Sequence, residues 1–242
     1  MSHEMFFVAD DFGLNADVNA AIVTGHVNGG LTGASLMLGQ PGTADAIARA
    51  RQHPSLSIGW HLHLCHSQPL TVPAWPWGDS PARAGWAIGL WPRARALLRQ
   101  EVAAQWAEFC RTGLLCAFVN VHHHLHAHPV VYAALLNVLP RDFTGWIRLG
   151  APRFFTPTLR HRLLASSDRF YWQDRRRKCP FASSDTLWGI DRLHRMQANE
   201  IHAVVAQLPT GRHEFMFHPR AIENDSDFAC LIEMRRSGMQ DR

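Results

Sequence analysis

The chain has 242 residues, 47% hydrophobic and 18% charged, and carries a net charge of +4 with histidine neutral. Those values describe one globular domain with a sizeable core and exclude a disordered chain. The charge favours acidic partners only mildly, and with no basic stripe interleaved with aromatics it argues against a nucleic-acid groove. In chain order, residues 5–9 read as a first strand ending in Asp10-Asp11. Gly13 breaks it, and a helix follows from Ala16 with Val18, Ile22 and Gly25 on one face, stopped by Asn28-Gly29-Gly30. Residues 32–38 read as a second strand, 44–51 as a helix, and 57–64 as a third strand carrying His61 and His63. Residues 65–92 form a long loop rich in Trp and Pro, a length that inside a compact domain points to function. An amphipathic helix carries Leu98, Val102, Trp106 and Phe109. Residues 118–124 read as a strand and 129–139 as a helix with Pro129 in its first turn. The pattern weakens over 146–190. A last helix shows Ile201, Val204, Val205 and Leu208, and 214–217 reads as a final strand. Alternating strands and helices point to a parallel sheet of β-α-β units in a single domain spanning 1–242; an open sheet and a closed barrel both satisfy that pattern.

The five cysteines (Cys65, Cys110, Cys116, Cys179, Cys230) are odd in number and contain no C-x-x-C pair. That disfavours a disulfide framework or zinc knuckle and fits a reduced compartment. The first twelve residues hold no signal-like apolar run, and no segment reaches the roughly 20 apolar residues that span a bilayer. The expected location is the cytoplasm. The tryptophans and the run Arg175-Arg176-Arg177-Lys178 leave peripheral contact with the inner membrane face open, with a solvated charged loop as the other reading of that run. The oligomeric state is left open as well.

Asp and His recur at the carboxyl ends of the expected strands, where parallel α/β architectures assemble their sites. Two adjacent carboxylates, Asp10 and Asp11, point in different directions, so one can hold a metal while the other faces a reacting water. Taken alone, the pair reads first as an Asx turn or helix cap before Ala16. The run His122-His123-His124-Leu125-His126-Ala127-His128 is hard to explain structurally and suits a divalent metal. If extended, it places His122, His124 and His126 on one face and His123 on the other. Alone, His61 and His63 read as core histidines. With Asp11 and His122, however, His61 completes a two-His, one-carboxylate set that leaves positions open for water and substrate. His218, in Phe217-His218-Pro219, is either a general acid or a turn histidine.

At these residues the sequence resembles the YdjC/ChbG family of carbohydrate deacetylases. The resemblance rests on Val8-Ala9-Asp10-Asp11-Phe12-Gly13-Leu14, Leu31-Thr32-Gly33-Ala34-Ser35-Leu36-Met37, Ile58-Gly59-Trp60-His61-Leu62, His122-His123-His124-Leu125-His126 and Phe217-His218-Pro219, in that order. It implies an irregular, TIM-like (β/α) barrel that removes the acetyl group from an N-acetylated amino sugar. It also implies Asp10 as base, His218 as acid and Asp11, His61 and His122 around one divalent metal, with Zn2+ preferred and Mg2+ the alternative. Asn120, Phe118 and Arg220 depart from the family pattern. Ser80-Pro81-Ala82-Arg83-Ala84-Gly85 is most similar to the hopanoid-associated HpnK branch, which implies N-acetylglucosamine on a hopanoid lipid as substrate. His63, His124, His126, Trp75, Trp77 and Trp86 are then candidate substrate contacts, the tryptophans forming an apolar groove or else packing the loop onto the barrel. The alternatives are a soluble substrate such as diacetylchitobiose, a phosphoesterase drawing further metal ligands from His63, His124 and His126, and a non-catalytic sugar or lipid binder.

Overall fold

The computed structural model describes residues 3–158, 170–223 and 225–237. Nine strands, all parallel, form one sheet. In chain order they are β1 (His3–Phe12), β2 (Gly33–Leu36), β3 (Ser57–Leu62), β4 (Phe118–Val121), β5 (Trp146–Ile147), β6 (Ala151–Pro152), β7 (Ala182–Ser183), β8 (Thr186–Trp188) and β9 (Gly211–Phe217), arranged β6-β8-β9-β1-β2-β3-β4-β5-β7. β5 and β7 lie at one edge of that order and β6 and β8 at the other, yet only residues 148–150 join β5 to β6 and only 184–185 join β7 to β8. Four and three residue steps reach at most about 14 and 11 Å, so the two edges face each other and the sheet must curl. Each edge pair is extended by one bond: Ser184 N–H donates to the Ile147 carbonyl beyond β5–β7, and Ala151 N–H to the Asp185 carbonyl ahead of β6–β8. Among the described residues no strand ladder joins the two edges. The α/β reading holds, and the curled, all-parallel half-barrel sheet is consistent with the TIM-like barrel that the resemblance implies, though it is open among the described residues.

The labelled α-helices are α1 (Ala16–Val27), α2 (Thr43–Gln52), α3 (Pro81–Leu90), α4 (Pro92–Arg111), α5 (Pro129–Val138), α6 (Ala198–Val205) and α7 (Ser226–Arg236). Residues 170–178 are also helical. α1 is capped by Asn15, whose side chain accepts from Val18 N–H, and buries Val18, Ile22 and Gly25 as their spacing predicts. α4 buries Leu98, Val102 and Phe109.

Four expectations change. β3 stops at Leu62, so His63 lies beyond it. The 65–92 loop contains α3, capped by Ser80 with Pro81 in its first turn; Gly85 and Gly89 blur its helical signal. β4 stops at Val121, and α7, capped by Asp225, follows the strand taken as the last element. Of the unassigned stretch 146–190, residues 159–169 lie outside the described residues.

Candidate active site

The site begins with an irregularity in β1. Ala9 pairs with Ala34 and Phe12 with Leu36, so three steps on β1 match two on β2. That is a bulge of one residue, a device that re-aims side chains near active sites. Asp11 takes a left-handed φ of 66° within it, a conformation a non-glycine residue keeps only when its surroundings enforce it. Gly13 follows at φ 100°, and a Cβ there would stand 2.7 Å from the Met37 carbonyl oxygen, so the turn requires glycine. Both carboxylates therefore face one cleft of about 470 Å³, whose other walls include His122, His124, His218 and Arg220.

His61, late in β3, and His122, just past β4, meet Asp11 there. Asp11 Oδ1 lies 3.1 Å from His122 Nδ1 and 3.4 Å from His61 Nε2, and the two nitrogens are 3.1 Å apart. Asp11 Oδ1 is buried without a hydrogen-bond partner. The Asn120 amide donates to Asp10 Oδ1 at 2.9 Å, so its oxygen accepts from His61 Nδ1 at 2.6 Å. That bond places the proton on Nδ1 and leaves the Nε2 lone pair facing Asp11. Three donor atoms about 3.3 Å apart are what zinc bonds of 2.0–2.1 Å in a tetrahedron require. A divalent cation fits these residues, and two imidazoles with one carboxylate suit zinc better than magnesium.

Asp10 is clamped rather than free. Arg148 Nη1 donates to its Oδ2 at 2.6 Å and Nη2 to its Oδ1 at 2.8 Å. Ser35 and Asn120 also donate to Oδ1. Burial alone would raise this carboxyl's pKa, but the Arg148 charge, with His61, the guanidinium hydrogen bonds and His218, overcomes burial and holds it far below the usual range. Arg148 also binds Glu214 Oε1 at 2.6 and 2.7 Å, yet burial still pushes Glu214 up to about 7. His218 Nε2 stands 3.8 Å from Asp10 Oδ2. Burial lowers its pKa against the pull of Asp11 and Asp10, so the resting imidazole is neutral near pH 7.

Arg148 and Glu214 carried no recognisable signal in the sequence: one follows a two-residue strand, and the other sits in a strand where burial was expected but partnering was not. The histidine run corrects the alternation argument. His122–Ala127 is a 3-10 stretch broken by a kink, with His123 and His124 both in non-helical, left-handed backbone, so the run has no common extended face. His124 lines the cleft. His126 is buried against Trp172, its carbonyl accepting from Arg175. His63 is buried, with Nδ1 on Ser67 Oγ and Nε2 on the Leu38 carbonyl, so neither nitrogen is open to a metal or substrate. Trp75 and Trp77 stack at 5.4 Å, both buried, and each indole N–H donates to a backbone carbonyl; this is the loop-packing arrangement. Trp86 alone of the three is exposed, at 71%. The Arg175 run is not a loop: it belongs to the helical stretch 170–178, and Arg175 is buried holding the His126 and Ala127 carbonyls. No helix among the described residues is long and apolar enough to cross a membrane.

The YdjC-like protein family matches residues 4–238. The chain belongs to it. Over 134 residues this YdjC-like chain is 35% identical to a carbohydrate deacetylase of Brevibacillus brevis, covering 54% of this chain and 53% of the other. Over 136 residues it is 34% identical to a carbohydrate deacetylase of Geobacillus stearothermophilus, covering 55% and 54%. The match thus spans about half the length of these curated relatives. In fold it is similar to a solved protein of Enterococcus faecalis V583 named for cellobiose-phosphate cleavage, with TM-score 0.67, 16% identity, and coverage of 100% of this chain and 95% of that one.

Proposed function

We propose that this chain is a carbohydrate deacetylase: it hydrolyses the acetamide of an N-acetylated amino sugar, with one divalent cation, zinc in preference to magnesium, on Asp11, His61 and His122. The observation that carries the reading is Asp11 Oδ1, buried without a hydrogen-bond donor and flanked by two imidazole nitrogens. The relatives named carbohydrate deacetylase support the substrate class.

When bound, the cation would polarise the acetyl carbonyl and make water acidic enough to attack it near neutral pH. Asp10 is ionised, and its Oδ1 is already taken by Ser35, Asn120 and Arg148. Oδ2 is therefore the atom that takes the attacking water's proton. The Arg148 clamp makes Asp10 a weak base, so it holds that proton briefly. His218 Nε2, neutral and 3.8 Å from Oδ2, receives it and delivers it to the leaving nitrogen as the C–N bond breaks. Acetate and a free amine result.

For the substrate itself, N-acetylglucosamine carried on a hopanoid lipid is the reading we favour over soluble diacetylchitobiose. Exposed Trp86, Leu90 and Trp91, and an apolar groove of about 510 Å³ between Trp77, Trp91, Pro92 and Leu97, offer surface to a lipid tail beside α3. The phosphoesterase alternative loses support because His63 has no free nitrogen. The test is acetate release by zinc-loaded protein from N-acetylglucosaminyl hopanoid, diacetylchitobiose and free N-acetylglucosamine. Release from the first above the others supports the full reading; release from diacetylchitobiose alone retains the deacetylase and removes the lipid. No acetate from any of them overturns both.

A further inference from the structure

Among the described residues, one other cluster besides the Asp11 group gathers metal-ligating atoms. Cys65, His66 and His123 each present a donor, all within 4.8 Å of one another, and share no residue with Asp11, His61 and His122. His66 Nδ1 and His123 Nε2 are 2.8 Å apart. Both histidines are exposed on the wall of the cleft, while Cys65 is buried behind them. The His122 and His123 rings are 4.1 Å apart, yet His122 turns Nδ1 to Asp11 while His123 turns Nε2 to His66. Consecutive histidines thus serve separate groups, because both His123 and His66 adopt left-handed backbone (φ 54° and 49°) that swings them toward each other.

We propose that Cys65, His66 and His123 form a second cation site, selective for a thiophilic divalent ion such as zinc or cadmium, whose open coordination position faces the cleft. One thiolate with two imidazoles is a soft donor set that calcium and magnesium avoid. Three protein ligands leave a fourth position for water or a small ligand. A coordinating thiol gives up its proton as the ion binds, so a proton is released when this site fills. Its chemistry also differs from a two-metal phosphoesterase centre, where the ions sit about 3.5–4 Å apart in one clamp.

Cobalt(II) titration of metal-free protein tests the site without any assay of turnover. The expected result is two equivalents per chain, one of them accompanied by a near-ultraviolet thiolate-to-cobalt charge-transfer band. Cys65→Ser removes that band and one equivalent. Because Cys65 is buried and its replacement can disturb folding, the exposed pair His66→Ala/His123→Ala is measured beside it, with circular dichroism on both; it loses the same band and equivalent with its fold intact. Asp11→Asn keeps the band, which separates this site from the deacetylase reading. No thiolate band in saturated wild-type protein overturns the proposal, as does a band that survives in the folded double-alanine variant.

Discussion

Arg148→Met is the most informative single perturbation. The guanidinium is fully buried and binds two buried carboxylates, Asp10 at 2.6 and 2.8 Å and Glu214 at 2.6 and 2.7 Å. Methionine preserves most of the volume and leaves both carboxylates without a counter-charge. Breaking a buried pair from one side costs about 3–5 kcal/mol, and here one residue serves two partners. For a chain of this size each kcal/mol moves Tm by roughly 2–4 °C, so a fall of about 6–20 °C is expected. The pH dependence carries the mechanism. In the wild type the folded pKa of Asp10 is below its unfolded value, so its contribution is present above that value and is lost as pH falls. In the variant Asp10 keeps only His61, His218, Ser35 and Asn120 against burial, so its folded pKa rises and its stabilising contribution above the unfolded value shrinks. Glu214, already raised by burial, rises further, and its contribution, present below the unfolded value, is lost as pH rises through the folded one. The Tm gap between wild type and variant therefore widens from about pH 5 to about pH 8. Turnover shifts in parallel: the acid limb of kcat/KM moves to higher pH because Asp10 must lose a proton to act. Arg148→Lys, with the charge but not the fork, falls between the two. Calorimetry of metal-free protein at both pH values reads the stability arm. A Tm within a degree or two of wild type, or a gap that stays constant with pH, would refute the account of Arg148.

Asp10→Asn should fold and bind metal normally yet lose roughly 10²–10⁴ in rate; metal content and acetate release on one preparation check it, and normal turnover removes the base assignment. Asn120→Ala should lower zinc affinity about 10–100-fold by releasing His61 Nδ1, read by competition with a chelator. His61→Ala and His122→Ala should each empty the Asp11 site while His63→Ala leaves it filled, because both His63 nitrogens are already bonded; equal zinc loss in all three would undo the ligand choice. Trp75→Ala, at a buried ring outside the apolar groove, should destabilise by about 3–5 kcal/mol and affect lipid-linked and soluble substrates alike. Trp86→Ala should leave Tm unchanged and raise KM only for the lipid-linked substrate, and a rise on both would remove Trp86 from tail binding.

What the sequence made legible followed from residues that repeat a local rule. The α1 and α4 faces obeyed helical spacing, and Asp11, His61 and His122 stood at ends of strands that parallel pairing brings together. Where two periodicities competed, the sequence misled. The histidine run looks extended because its alternate residues match, but left-handed His123 and His124 kink it within a 3-10 stretch, and side chains there follow backbone handedness instead of period two. Trp75 and Trp77 looked available for a ligand because a loop was expected around them. Their burial depends on a stack between two rings and on carbonyls of Leu64 and Ser67, contacts that no linear pattern encodes.

Arg148 shows why the remainder was hidden. It is the first of three residues that carry the chain from one edge of the sheet to the other, a segment with too little strand on either side to show a pattern. Because those edges face across the opening, the connection passes over the interior, and a long side chain placed on it reaches Asp10 on β1 and Glu214 on β9 together. The Arg148 backbone still continues the pairing of β5 with β4, its N–H donating to the Val119 carbonyl, so one position serves both the sheet and the interior. Its guanidinium offsets two buried carboxylates, and Asp10 stays ionised because that charge reaches it from the end of β5.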